Sequence, residues 1–233
     1  MRGLGGCRQA DAIPLDDYAS LPKYAGKELQ LAEEALLVVC WWLLREIELA
    51  NVRLEDASFL AGEGCGVAVL KVPASKADAQ ARGASRQHGC ACPSVLCPVK
   101  ALRALVLAAQ GEGPEAALVK DRKGEQPTKA ATCREIARWA KHVNAPSGNY
   151  TGHSLRTTGA QRLALAGLSE KKIKFFGRWA SDAMLRYVRE KLLTDASRKV
   201  AKQVVVEAEE AVAAQLLSKS SVRRQQWPRL AAR

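Results

Sequence analysis

The sequence predicts a mainly α fold with a small antiparallel β-sheet (α+β), on three observations. Apolar residues recur at helical spacing in several segments separated by loops rich in Gly, Pro and Asn. Two short stretches of strand formers, Phe59-Leu60 and Val67–Val72, flank the Gly-rich turn GEGCG. A chain of 233 residues with 48% hydrophobic content can bury a substantial core as one domain with tails.

In chain order, residues 1–26 carry Gly, Pro and Asp pairs without sustained periodicity, which predicts a poorly ordered leader. A main domain is expected over 27–217. It opens with a helix in which Leu29, Ala32, Leu36 and Val39 form a stripe that Trp41-Trp42-Leu43-Leu44 extends all the way round, the mark of a helix buried on most sides. Arg45 follows directly, and a guanidinium there needs an anion: Glu46 or Glu48 in a purely structural role, or a bound phosphate. After the two strands, 74–78 reads as a tight turn from which Lys76 projects. An insert over 86–98 leads into the amphipathic helix 98–110, which has Pro98 in its first turn. Ala117-Leu118-Val119 reads as one more short strand, and Thr128–Val143 as an amphipathic helix. The loop 144–152 delivers the chain to a helix from Ser154 to near Gly167. Ser169 then caps a short basic helix, and Ser181-Asp182 a last one carrying Tyr187. Residues 218–233 hold five Lys/Arg and no acid, which predicts a basic flexible tail.

The formal net charge of +12 is uneven. Residues 1–60 carry six Lys/Arg against ten Asp/Glu, so the basic excess lies in the rest of the chain. Such asymmetry points to a polyanionic partner, nucleic acid first, against the plainer alternative of a solvated basic surface. No apolar run approaches the roughly 20 residues that span a bilayer. No signal-peptide pattern opens the chain, so the expected location is intracellular, nuclear in a eukaryote. The seven cysteines are then expected as thiols or metal ligands. His88, Cys90, Cys92 and Cys97 are the right types and number for a tetrahedral structural zinc. The single residue between Cys90 and Cys92 is shorter than the usual spacing, and the alternative is a reduced loop leading into the next helix.

The densest chemistry lies in Thr151–Val188, where nine Lys/Arg face three Asp/Glu over 151–191. His153 and Arg156 are three apart and share one face at a helix N-terminus, a place that favours an anion. Trp179 offers an indole N–H, and Tyr187 a phenol that needs flanking cations and a base to act as nucleophile. No acidic cluster on this stretch suits magnesium.

In this order the motifs resemble those of the tyrosine recombinases, or phage-type integrases, over roughly residues 29–190. LLREIELANVRLEDAS is similar to the family's first arginine box through Arg45, and Lys76 to its hairpin lysine, with Lys71 as the fallback. HSLRTTGA resembles the His-x-x-Arg box through His153 and Arg156. GRWASDAMLRYV resembles the final box, with Trp179 where many members have His, and Tyr187 as nucleophile. The form of this last box is most similar to integrases of eukaryotic mobile elements, the Crypton and DIRS type.

The resemblance implies DNA strand breakage and rejoining through a 3′-phosphotyrosyl intermediate. Arg45 and Arg156 would bind the non-bridging oxygens, Lys76 would protonate the leaving 5′-oxygen, and His153 would accept the tyrosine proton. Trp179 would hydrogen-bond the phosphate or buttress the site. No cofactor is implied for catalysis, double-stranded DNA is the implied partner, and family members assemble as tetramers on two duplexes. Only about 28 residues precede the first matched helix, too few for the family's N-terminal clamp. The alternative is therefore a truncated or domesticated DNA-binding module. A third reading, an RNA-binding or structural basic protein, would leave the complete ordered set of six residues unexplained.

Overall fold

The computed structural model describes residues 10–72 and 83–179, together with Val188 and Leu192. The chain divides into two compact units, Met1–Val188 and Arg189–Arg233, and every element named below belongs to the first. Helices are α1 (Ala32–Trp42), α2 (Glu46–Asn51), α3 (Pro98–Ala108), α4 (Lys129–His142), α5 (Ser154–Leu165) and α6 (Glu170–Phe176). Strands are β1 (Ala57–Leu60), β2 (Val67–Val72) and β3 (Ala84–Gly89), in an antiparallel sheet of order β1-β2-β3. The α+β expectation holds. The helix foreseen from Ser181 and the tail over 218–233 lie outside the described residues, apart from Val188 and Leu192, which are both helical.

α1 is the hub. Its residues Ala35–Cys40 are all buried, as its apolar circumference requires, and α3 and α5 pack on either side. Two indole N–H groups at its end are satisfied by neighbouring backbone. Trp41 Nε1 donates to the Leu96 carbonyl at 2.7 Å, and Trp42 Nε1 to the Arg86 carbonyl at 3.0 Å. Both ends turn through left-handed residues, Leu31 (φ 44°) and Leu43 (φ 52°), so the helix is shorter than the apolar run suggests. On the α5 side the approach is very close, since a Cβ on Gly159 would stand 2.0 Å from the Cys40 carbonyl oxygen.

The other ends follow their local signals. Thr128 Oγ1 accepts the Ala131 N–H at the start of α4, and Ser169 Oγ that of Lys172 at the start of α6. Along β2, Ala68, Leu70 and Val72 face the core. Ala117–Val119 forms no strand; it contributes a single bridge, Arg53 with Ala117, beside a Leu118 N–H bond to the Val52 carbonyl.

Two further stretches depart from expectation. β3 (ASRQHG) has little strand propensity, and it is a strand because β2 offers it a full edge, with Val67 opposite Gly89 and Val72 opposite Ala84. The segment expected as a poorly ordered leader is seated on the core from Ala10 onward. Ile13, Leu15, Tyr18 and Tyr24 are buried, and the Ile13 N–H donates to Thr158 Oγ1 at 2.7 Å. Glu135, fully buried in α4, anchors this segment by accepting the Tyr24 hydroxyl and the N–H groups of Lys27, Glu28 and Leu29. Irregular chain with a single 3-10 turn at Tyr18–Ser20 has neither the helical nor the strand period, so its buried apolar residues form no legible pattern.

Among the described residues no helix is long and apolar enough to cross a membrane.

Candidate active site

Four of the six residues singled out as catalytic meet at one place. Arg45 precedes α2, His153 and Arg156 occupy the N-terminal turn of α5, and Trp179 follows α6. The two arginines meet on Glu48, a carboxylate only 3% exposed, and Trp179 joins them through Arg156. Arg45 Nη1 reaches Glu48 Oε1 at 2.8 Å, and the Arg45 backbone N–H donates to Oε2 at 2.8 Å. Of the two carboxylates the sequence offered to Arg45, Glu48 is therefore the partner, while Glu46 pairs with Lys129 at 3.1 Å. Arg156, with no exposed surface, has Nη1 4.0 Å from Glu48 Oε2 and donates through Nη2 to the Gly177 carbonyl.

A third guanidinium completes the cluster. Arg178 Nη2 lies 2.7 Å from Glu48 Oε2. The residue has φ 56°, a left-handed conformation that costs a non-glycine residue on the order of 1 kcal/mol and tends to persist at functional sites. Sequence reasoning passed over Arg178, although it sits inside the GRW motif, because only the fold shows where its side chain goes. Trp179 then folds back over its own turn. Its ring covers Gly177, where a Cβ would stand 1.8 Å from it, and it stacks on Arg156 with the guanidinium carbon 4.3 Å from the ring centroid.

Three guanidiniums share one carboxylate, so the site carries an excess of positive charge in a desolvated place. Nε and Nη1 of both Arg156 and Arg178 are buried without a hydrogen-bond partner. Orphaned buried donors of this kind are uncommon and call for an explanation. Burial, and next the Arg45 charge, press the Arg156 pKa down to about 9, which still leaves it cationic at neutral pH. His153 keeps an exposed edge, yet desolvation against the site wall, and then the Arg156 charge, lower its pKa. The imidazole is accordingly biased toward its neutral, proton-accepting form. The arrangement as a whole can hold a tetrahedral or trigonal oxyanion on several N–H forks beside a base.

Tyr187 and Lys76 lie outside the described residues. The residue after Tyr187, Val188, is fully buried against Leu43, Ala160, Leu163, Ala164 and Ile173, on the same α1–α5 shoulder that carries Arg156. Lys71, the fallback for Lys76, is an exposed residue of β2 paired with Ser85.

The metal-ligand set expected from sequence needs correction. His88 does not join the cysteines. Its ring is boxed by Trp41, Trp42 and Phe176 at centroid distances of 5.1, 4.8 and 5.2 Å, and Nε2 is 2.8 Å from the Trp41 carbonyl oxygen. Cys90, Cys92 and Cys97 do converge, and the fourth thiol beside them is Cys65, all four sulfurs lying within 4.8 Å of one another. The register explains it: Val67 opposite Gly89 brings the residues just before β2 alongside those just after β3. Without β3, the sequence held no sign of this.

Compared by sequence, the chain matches no protein-family model and no curated protein. Its structure does find neighbours. The XerH site-specific recombinase, in a pre-cleavage complex with its difH substrate, superimposes with a TM-score of 0.54 at 15% identity over 78% of this chain. A λ integrase dimer bound to a COC′ core site gives 0.53 at 16% over 81%, and XerA recombinase 0.51 at 19% over 77%. The chain has the tyrosine recombinase catalytic-domain fold. It spans 49% of the XerH chain, 62% of the λ integrase chain and 64% of the XerA chain, so it shares this fold with a part of each recombinase.

Proposed function

We propose that this chain breaks and rejoins DNA strands, with Tyr187 attacking a phosphodiester to leave a 3′-phosphotyrosyl link and a free 5′-hydroxyl. The observation that carries the reading is the cluster of Arg45, Arg156 and Arg178 on Glu48, with four buried guanidinium N–H positions lacking partners. A phosphate in flight, whose non-bridging oxygens gain charge, is the ligand such forks serve. Arg45 and Arg156 take those oxygens in this scheme, and Arg178 adds charge and orders Glu48. His153, biased neutral, accepts the tyrosine proton, and Lys76 returns one to the leaving oxygen. Trp179 holds the Arg156 plane. No metal has a role in these steps, because the guanidiniums supply the positive charge and the covalent link conserves the bond energy.

Double-stranded DNA is the proposed substrate, and self-association on paired duplexes the proposed working state. The narrower likeness to Crypton- and DIRS-type integrases rests on the GRW…S-D-A-x-L-R-Y motif. The alternative is a DNA-binding module that keeps this fold without completing recombination. Incubation with nicked suicide duplexes separates the two. The first reading predicts a denaturant-resistant protein–DNA adduct that Tyr187→Phe abolishes. The second predicts retarded duplex and no adduct.

A further inference from the structure

We propose that Cys65, Cys90, Cys92 and Cys97 form a structural zinc site that clips the β1–β2 turn and the end of β3 to the start of α3. The sulfur of Cys65 lies 3.0 Å from that of Cys90 and 3.7 Å from those of Cys92 and Cys97. A zinc ion with Zn–S bonds of about 2.3 Å in a tetrahedron requires sulfur pairs about 3.8 Å apart. Two of the three distances already meet that value, and the third needs a shift of under an ångström.

The surroundings suit thiolates. The Ala91 N–H donates to Cys97 Sγ and the Cys92 N–H to Cys90 Sγ, both at 3.3 Å, so backbone donors already face the sulfurs. Cys97 is the residue preceding α3, where the helix dipole favours negative charge. Four thiolates around Zn²⁺ leave a net charge of −2, and two cations of α3 stand ready to balance it. Lys100 sits at the Cys92 sulfur, and Arg103 Nη2 donates to the Cys65 carbonyl at 3.0 Å. Gly64, at φ 60°, gives Cys90 its room: a Cβ there would stand 2.7 Å from the Cys90 sulfur. On binding, each thiol coordinates as thiolate and releases its proton to solvent.

A structural role follows from what is joined. Beyond the clip, β3 carries Arg86, whose side chain donates to the Phe175 and Phe176 carbonyls one residue short of the Gly177–Trp179 turn. The zinc would thereby fix the strand that buttresses the arginine cluster, without touching it.

The test uses the full chain purified under reducing conditions and loaded with Zn²⁺, or with Co²⁺ as a spectroscopic probe. X-ray absorption should give a first shell of four sulfurs near 2.3 Å, and Co²⁺ should give intense thiolate charge-transfer and tetrahedral d–d bands. Metal content should stay at one ion per chain in His88→Gln and Cys133→Ser, and fall at least tenfold in Cys65→Ser. A shell of three sulfurs and one nitrogen, with metal lost in His88→Gln, would overturn the assignment of Cys65. So would a wild-type chain that binds neither metal after reduction. The wild-type spectra decide the matter even where a cysteine variant fails to fold.

Discussion

At Glu48 one carboxylate faces Arg45, Arg156 and Arg178, and its removal would leave three guanidiniums repelling one another in a place water barely reaches. Breaking a buried ion pair by deleting one partner costs about 3–5 kcal/mol. Glu48→Gln should therefore lower the urea midpoint by an amount equivalent to about 3 kcal/mol, partly restored by sulfate or phosphate ions that occupy the vacated charge. A stability unchanged by the substitution would show that the cluster is not held as described. At His153 the lowered pKa has a definite sign. A histidine that resists protonation remains a base to lower pH, so the acid limb of the cleavage rate should lie below the ordinary value of about 6.5, and His153→Gln should remove that limb while slowing the reaction. Arg45, His153, Arg156 and Trp179 were legible in the sequence because each sits in a motif whose order along the chain is informative. Arg178 was not, and Glu48 was legible only as one of two possible partners of Arg45, since its significance is that three arginines from three elements meet on one acid.

At the scale of elements, the contact between α1 and α5 sets the position of Arg156. Gly159 lets the helices approach until only a hydrogen fits against the Cys40 carbonyl, and Leu43 crowds the same point. Gly159→Ala gains up to about 1 kcal/mol in helix propensity but must push the helices apart. Overpacking costs about 1–3 kcal/mol. With backbone as the obstacle, the upper part of that range applies, and a net loss of about 2 kcal/mol should appear as a lower denaturation midpoint. An alanine variant as stable as the parent would mean that the helices are farther apart. The elements that sequence foresaw, α1, β1, β2, α3, α4, α5 and α6, carry their own period, cap or strand-forming residues. β3 and the segment from Ala10 were hidden because tertiary contacts create them: β3 borrows its ladder from β2, and the segment borrows its anchor from Glu135. The missed strand also concealed Cys65 as the fourth thiol.

At the scale of the whole molecule, Arg45 from the acidic N-terminal portion joins Arg156 and Arg178, more than a hundred residues further along the chain, on Glu48. The basic excess should make binding to duplex DNA strongly dependent on salt, and affinity should fall by at least tenfold between 50 and 200 mM salt for a site of several phosphate contacts. An affinity insensitive to salt would argue against backbone recognition. Covalent capture decides whether this chain cleaves and rejoins DNA. The chain is incubated with a randomised pool of nicked suicide duplexes and resolved under denaturing conditions, alongside Tyr187→Phe. The parent chain should give a DNA-linked band that yields a phosphotyrosyl peptide at Tyr187, and Tyr187→Phe should give no such band. Retarded duplex without any covalent band, or a band that persists in Tyr187→Phe, would contradict it.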